Sequence, residues 1–225
     1  MASLVARAFV GLLFVLVVMG ALLFLTAGTL HYWQAWVYLA LFGALASAIT
    51  GYLARKDPAL LERRVRGGPT AEKATSQRIA VTIASAGFVA IFLFSGLDHR
   101  WQWSKVPSSV AIAGVVLFMV GWAVIFAVFK ENSFTSATIE VASDQRVVST
   151  GPYAVVRHPM YSASLLYVLG TPLALGSWWG FIGVLLMAPA IVWRLLDEER
   201  FLAKSLPGYS EYSDRVKYRL VPFIW

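Results

Sequence analysis

The chain has 225 residues and no cysteine; 59% of its residues are apolar, only 14% are charged, and its mean hydropathy is +0.68. A soluble domain of this size carries roughly a quarter charged residues, so the composition excludes an ordinary soluble protein, and the lack of cysteine excludes disulfides and thiolate metal sites. The net charge of +7 does not indicate nucleic-acid binding, because the basic residues lie in the gaps between apolar runs, as in membrane proteins.

Six apolar runs approach or reach the roughly 20 residues that a membrane-spanning helix needs. They cover residues 8–26, 33–53, 79–97, 110–129, 161–175 and 179–196. Gly176 and Ser177 join the last two runs, which predicts a helical hairpin at 161–196. We therefore predict an all-α, polytopic integral membrane protein with about six membrane helices. Residues 1–129 are predicted to form an N-terminal four-helix region. Residues 130–225 are predicted to form a second region, with a connector, the hairpin and a polar tail.

The basic residues predict the orientation of these helices. Of the 19 lysines and arginines, all but Arg100 and Lys105 fall on one side of the membrane if the chain crosses it an even number of times. Loops on the cytoplasmic side are rich in lysine and arginine, so both termini are predicted to be cytoplasmic. The polar stretches 130–158 and 197–225 then face the cytoplasm as well.

A cluster of chemically versatile residues precedes the fifth run, in GPYAVVRHPMY. Pro159 is predicted to be the first residue of a helix, because proline is favoured at that position. The backbone N–H groups of residues 160–162 are then free to bind a carboxylate or a phosphate. Arg157 adds a charge that pairs with carboxylates, and His158 and Tyr161 add rings that stack or form hydrogen bonds. The same residues are also common as plain interfacial anchors.

A second polar cluster, DEERFL, follows the sixth run. Asp197, Glu198 and Glu199 are consecutive, and their carboxylates repel one another unless nearby cations neutralise them. Arg194 and Glu198 are four residues apart and share a helix face, although a solvated helix end explains such a pair equally well. In the tail, residues 210–218 are predicted to form a short helix that either folds over the hairpin as a lid or lies on lipid.

Taken together, these motifs resemble the isoprenylcysteine carboxyl methyltransferase family over about the last 80 residues. The matching pieces are VVSTGPYAVVRHPMY, a hairpin, DEERFL, GYSEYSDRV and PFI, in that order. The first four runs match only as apolar helices. The resemblance implies methyl transfer from S-adenosylmethionine, bound at the cytoplasmic end of the hairpin, without a metal. It leaves the acceptor open among prenylcysteine carboxylates, lipids and small thiols.

The resemblance also implies roles for individual residues. Arg194 and Glu198 match an Arg–Glu pair implicated in the reaction; Glu198 acts either as a base or, as we favour, to orient Arg194. One departure is Ala163, where the family often has glycine, and its methyl group narrows either a helix contact or the pocket. The predicted cofactor-binding residues are Tyr153, Arg157, His158, Pro159, Tyr161, Glu198, Glu199 and Tyr212.

Two alternative functions stay open beside the methyltransferase. Steroid and sterol reductases use NADPH and have a similar Arg-His-x-Asn-Tyr pattern, but Met160 stands at the asparagine position and no acid closely follows Tyr161. A non-enzymatic transport or assembly protein is the other alternative. Transporters place charges near the membrane centre, where these runs have none. The predicted partners are the lipid bilayer and a lipophilic or amphiphilic substrate; the sequence does not predict an oligomeric state.

Overall fold

The computed structural model describes residues 2–72, 74–139, 141 and 145–225. Within these residues the chain forms eight α-helices and no β-strand, which confirms the all-α class. The helices are α1 (Ala2–Ala27), α2 (Trp33–Lys56), α3 (Pro58–Val65), α4 (Thr75–Trp101), α5 (Ser108–Glu131), α6 (Pro159–Ala174), α7 (Phe181–Ser205) and α8 (Tyr209–Arg215). Two short 3-10 turns lie at Pro69–Ala71 and Gly151–Ala154.

Four of the helices, α1, α2, α4 and α5, are long and apolar enough to cross a membrane. They coincide with the first four predicted runs. The fifth run forms α6, which has 16 residues and a length of about 24 Å. The sixth forms α7, whose apolar part ends at Arg194. The structure thus supports four spans and the hairpin, and the prediction of about six spans is not confirmed.

The contacts between helix ends define two ends of the bundle. At one end, Leu4, Leu60 and Phe129 belong to one apolar cluster, against which Met160 at the start of α6 packs. At the opposite end, the buried Asp98 carboxylate accepts a hydrogen bond of 2.5 Å from Ser177, in the turn between α6 and α7. The start of α6 and the end of α7 therefore lie at the end that also holds α3.

An aromatic core lies in the centre of the bundle and fixes the hairpin against the first four helices. Its three central rings, of Tyr38, Phe92 and Phe118, are almost completely buried. The ring centroid of Tyr38 lies 5.8 Å from that of Phe92 and 4.8 Å from that of Phe118. The Tyr38 hydroxyl also forms a hydrogen bond of 3.1 Å with the Thr171 hydroxyl on α6. The Thr171 hydroxyl also donates to the carbonyl oxygen of Tyr167 at 2.8 Å, so this buried polar group is hydrogen-bonded within the core.

Helix α6 packs on α5 at a distance that only small residues allow. A Cβ atom at Gly121 would lie 2.8 Å from the backbone nitrogen of Tyr167 and 2.9 Å from the carbonyl oxygen of Ala163. Ala163 is completely buried at this contact. The carbonyl oxygen of Ala163 lies at the helix contact, and the predicted effect of its methyl group on the contact or the pocket stays a prediction.

Candidate functional site

A cavity of about 220 Å³ opens where α6 begins and α7 ends. Its walls come from α3, the connector between α5 and α6, the first turn of α6, the last turns of α7, and α8. The predicted site residues that line it are Tyr153, Arg157, His158, Pro159, Tyr161, Arg194, Glu198 and Tyr212. Glu199 is the predicted site residue that lies outside this lining. The cavity thus brings together residues that are far apart in the sequence.

The first turn of α6 presents backbone donors to this cavity. Pro159 is the first helical residue, as predicted, and His158 precedes it as the N-cap residue. The N–H of Ser162 donates to the carbonyl oxygen of His158 at 3.1 Å, so it is not free. The N–H groups of Met160 and Tyr161 have no partner among the residues that the structure describes. Two donors are therefore available, and not the three that were predicted.

Glu198 is tied to α6 through a tyrosine. The Tyr161 hydroxyl donates a hydrogen bond of 2.6 Å to Oε2 of Glu198, and both side chains line the cavity. This bond joins the two arms of the hairpin at their open end. It also holds one carboxylate oxygen in a fixed place and leaves the other for a ligand.

Arg194 is oriented by residues from outside the hairpin. Its Nη1 lies 2.6 Å from Oε1 of Glu72 and donates to Oε1 of Gln77 at 3.0 Å. Its Nη2 donates to the carbonyl oxygen of Ala137 at 3.1 Å. Within the described residues, the acid that pairs with Arg194 is therefore Glu72. The favoured role of Glu198 in orienting Arg194 is not tested by this salt bridge and stays a prediction.

Glu199 points away from the cavity and forms the centre of an ion cluster. Its carboxylate lies 3.1 Å from Nε of Arg157, 3.2 Å from Nε2 of His158 and 2.8 Å from Nε of Arg219. Burial alone would raise the pKa of Glu199, but the hydrogen bonds from His158 and Arg219 and the nearby charges lower this pKa to about 2. Glu199 therefore stays charged and holds Arg157 and His158 at the cavity wall.

The tail folds back over the open end of the hairpin, which is the lid-like alternative of the two predicted. The backbone N–H groups of Arg157 and His158 donate to carbonyl oxygens of residues 218 and 219 at 2.9 and 3.0 Å. In α8, the Tyr212 hydroxyl donates to the carbonyl oxygen of Tyr153 at 2.8 Å. The short helix predicted at 210–218 is present as α8, which begins at Tyr209 and ends at Arg215.

Arg64 on α3 lines the cavity and was missed by the sequence analysis. Its Nη1 donates to the carbonyl oxygen of Ser136 at 3.1 Å, and its guanidinium lies 5.3 Å from the centre of the Phe129 ring. Burial and the neighbouring charge of Arg194 lower the pKa of Arg64. Seven lysines and arginines lie between residues 55 and 78, and no local pattern distinguishes Arg64 from the others.

Comparison with known proteins places these elements in a family. A family model described as phospholipid methyltransferase matches residues 110–207, which hold α5, the connector, α6 and α7. Protein-S-isoprenylcysteine O-methyltransferase B of Arabidopsis thaliana is 31% identical over 154 residues, covering 65% of this chain and 73% of the relative. The cobalt-zinc-cadmium resistance protein CzcN of Cupriavidus metallidurans is 29% identical over 162 residues, covering 70% of this chain and 68% of the relative.

A sterol reductase also shares sequence with the chain. The Delta(14)-sterol reductase TM7SF2 of Mus musculus is 31% identical over 151 residues, which cover 65% of this chain but only 31% of that reductase. This partial match does not favour the reductase alternative, because the plant methyltransferase is matched over most of its length. The chain therefore belongs to the isoprenylcysteine carboxyl methyltransferase family of membrane methyltransferases.

Proposed function

We propose that this membrane methyltransferase uses S-adenosylmethionine and methylates a lipophilic or amphiphilic acceptor. The observation that carries the proposal is the charge arrangement of the cavity. Arg157 and the unpaired N–H groups of Met160 and Tyr161 lie on one wall, and the carboxylate of Glu198 lies on another. A ligand that carries both an anionic and a cationic group matches such walls.

The residues of the cavity fit S-adenosylmethionine, which carries a carboxylate, an ammonium and a sulfonium. In our proposal Arg157 and the α6 donors bind the carboxylate, and Glu198 attracts the cationic groups. The hydroxyl of Tyr209, which lines the cavity, is buried without a hydrogen-bond partner in the described part of the chain. A buried hydroxyl of this kind is expected to meet a ligand or water. Further rings for an adenine come from His158, Tyr153 and Tyr212.

When bound, S-adenosylmethionine supplies an electrophilic methyl group on its sulfonium. The work of the protein is then to align the acceptor and to exclude water, and alignment contributes roughly 7–11 kcal/mol in favourable cases. In the proposal Arg194 binds an acidic group of the acceptor with its fork of N–H donors. Glu198, held by Tyr161, accepts a proton from a thiol, amine or hydroxyl acceptor; with a carboxylate acceptor it only balances charge.

The surroundings of the cavity support an acceptor that comes from the bilayer. Met160 lines the cavity and also packs against the apolar cluster that contains Phe129 and contacts Ile125 on the membrane helix α5. An apolar side chain at the wall of the cavity, in contact with the membrane helices, suits an acceptor with an apolar chain. We propose that residues 130–225 form most of the catalytic region, and that this end and both termini face the cytoplasm, because the basic residues concentrate there.

The experiment is a binding and turnover assay on purified protein in detergent. S-adenosylhomocysteine and NADPH are titrated by calorimetry, and methyl transfer is measured with labelled S-adenosylmethionine against prenylcysteine analogues and lipid extracts. Glu198→Gln and Arg194→Ala are expected to lower turnover at least 100-fold, since each removes a charge from the reacting end of the cavity. Glu211→Gln and Arg200→Ala are the matched controls, because both residues are exposed.

The outcomes separate the alternatives. Binding of S-adenosylhomocysteine together with methyl transfer supports the proposal. Binding of NADPH without binding of S-adenosylhomocysteine would point to a reductase and overturn it, and binding of neither would point to a non-enzymatic protein. Full turnover in both Glu198→Gln and Arg194→Ala would refute the assignment of the catalytic pair while leaving the methyltransferase intact.

A further inference from the structure

The segment between α2 and α4 contributes polar side chains to the site. Arg64, Glu72 and Gln77 either line the cavity or contact Arg194, which does. All three lie outside residues 110–207, the part that the family model matches. The N-terminal region therefore does more than anchor the protein in the membrane.

Glu72 is placed as a dedicated partner of Arg194. The Glu72 side chain is 2% exposed and that of Arg194 is 15% exposed, and their nearest nitrogen and oxygen are 2.6 Å apart. A carboxylate at this depth has lost most of its hydration and depends on a cation for compensation. Gln77 and the carbonyl oxygen of Ala137 accept hydrogen bonds from the same guanidinium, and the Glu72 carboxylate adds an ion pair. Such a set fixes the plane of an arginine fork.

A neighbouring contact already supplies the structural link between α4 and α7. Asp197, one helical turn from Arg194, accepts hydrogen bonds from the side chains of Ser76, at 3.1 Å, and of Gln77. Asp197 does not line the cavity, whereas Arg194 does. Gln77 joins the two contacts, because its side chain donates to Asp197 and accepts from Arg194. Asp197 therefore contacts Arg194 through Gln77, whereas Arg194 itself lines the cavity.

The position of Glu198 explains why such a partner is needed. Arg194 and Glu198 are four residues apart on one helix, a spacing at which opposite charges attract each other. In the structure Glu198 is instead bonded to Tyr161. Arg194 forms its salt bridge with Glu72, so each of the two side chains has a partner of its own, and Tyr161 interacts with both.

We propose that Glu72 is a positioning residue for methyl transfer, which holds Arg194 apart from Glu198 and aims it at the acceptor. The inference rests on the proposed function, because it assumes that Arg194 binds the acceptor. It predicts that loss of the Glu72 charge impairs use of the acceptor and leaves binding of the methyl donor unchanged.

The test compares purified full-length variants with a prenylcysteine analogue as the acceptor probe. For Glu72→Gln we expect kcat/KM for the acceptor to fall about 10-fold to 100-fold, since misplacement of a binding group by about 1 Å has effects of that order. The Kd for S-adenosylhomocysteine is expected to change less than about twofold. Glu72→Asp keeps the charge and is expected to restore part of the activity. Glu62→Gln is the matched control, because Glu62 lies in the same segment and forms an exposed ion pair with Arg66.

A purely structural role is distinguished by Ser76→Ala, which removes a hydrogen bond between α4 and α7 and leaves Gln77 and Arg194 in place. This variant is expected to lower the thermal midpoint while the folded protein keeps its kcat/KM. Unchanged kcat/KM in folded Glu72→Gln, or an equal kinetic loss in Ser76→Ala, would overturn the inference. If Glu72→Gln does not fold, the partial activity of Glu72→Asp, with donor binding intact, carries the same expectation, and wild-type kinetics in that variant would overturn it. Failure of the proposed function looks different, because wild-type protein would then neither bind S-adenosylhomocysteine nor methylate the probe.

Discussion

Replacing Glu199 by glutamine removes the acid on which Arg157, His158 and Arg219 converge. Glu199 is outside the cavity, so the variant tests how the cavity wall and the tail are held together, separately from the chemistry. Glutamine keeps the size of the side chain and some of its hydrogen bonds. The expected effect is therefore the loss of the charge interactions alone.

The shift in the pKa of Glu199 gives the magnitude. This pKa is lowered from 4.5 to about 2, and each unit corresponds to about 1.4 kcal/mol, so full conversion gives about 3 kcal/mol. The carboxylate retains some contact with solvent, which screens the pairs and reduces the expected contribution to about 2 kcal/mol. Because the folded-state pKa is the lower one, this stability is present above about pH 4.5 and is lost as the pH falls toward 2.

The assay is unfolding in mixed micelles with increasing dodecyl sulfate, followed by tryptophan fluorescence. Wild-type protein is expected to exceed Glu199→Gln in free energy of unfolding by about 2 kcal/mol at pH 7 and by about 1 kcal/mol or less at pH 3. Glu211→Gln, a change in the exposed face of α8, is expected to match wild type at both pH values. No difference at pH 7 would refute the stabilising role of the cluster. An equal difference at pH 7 and pH 3 would show that the effect comes from packing and not from charge.

Two other substitutions test the hairpin contacts. Tyr161→Phe removes the hydroxyl that donates to Glu198 at 2.6 Å. We expect turnover to fall about 10-fold, because a hydrogen bond to a charged group is worth about 1.5–3 kcal/mol. Turnover equal to that of wild type would show that this bond does not position Glu198. Gly121→Ala forces α5 and α6 apart, because its Cβ atom would lie within 3 Å of α6 backbone atoms; we expect a loss of about 1–3 kcal/mol in the same micelle assay. Gly51→Ala, where a Cβ atom meets nothing within 4 Å, is its control and is expected to be neutral or slightly stabilising.

The parts of the fold that the sequence predicts well depend on local signals. The second and fourth apolar runs, 33–53 and 110–129, agree with α2 and α5 to within three residues at each end. A membrane helix is recognised from a continuous run of about 20 apolar residues, and Pro159 marks the start of α6. The fifth and sixth runs carry a weaker signal, because α6 has 16 residues and the charge of Arg194 ends the apolar part of α7, so the two further spans stay a prediction.

The parts that the sequence does not predict depend on contacts between distant segments. Glu62 and Glu72 have the same neighbourhood of basic residues in the sequence, yet one lies on the surface beside Arg66 and the other is buried against Arg194. Their partners depend on how the turn after α3 packs on α4 and brings Glu72 to Arg194 on α7. This tertiary contact leaves no periodic pattern in the sequence. Helix spacing identifies Arg194 and Glu198 as possible neighbours, but it carries no signal for the salt bridge that Arg194 forms with Glu72.

The acidic triplet at the end of α7 shows how such partners are divided. Successive residues of a helix point about 100° apart, so Asp197, Glu198 and Glu199 face three different elements. Asp197 accepts hydrogen bonds from α4, Glu198 accepts one from Tyr161 on α6, and Glu199 pairs with the tail as well as with the residues before α6. The repulsion expected among consecutive acids is therefore offset by separate partners and not by one shared cation. Since only Glu198 turns into the cavity, neutralising each acid in turn should have three distinct effects: on helix docking, on turnover and on closure of the tail.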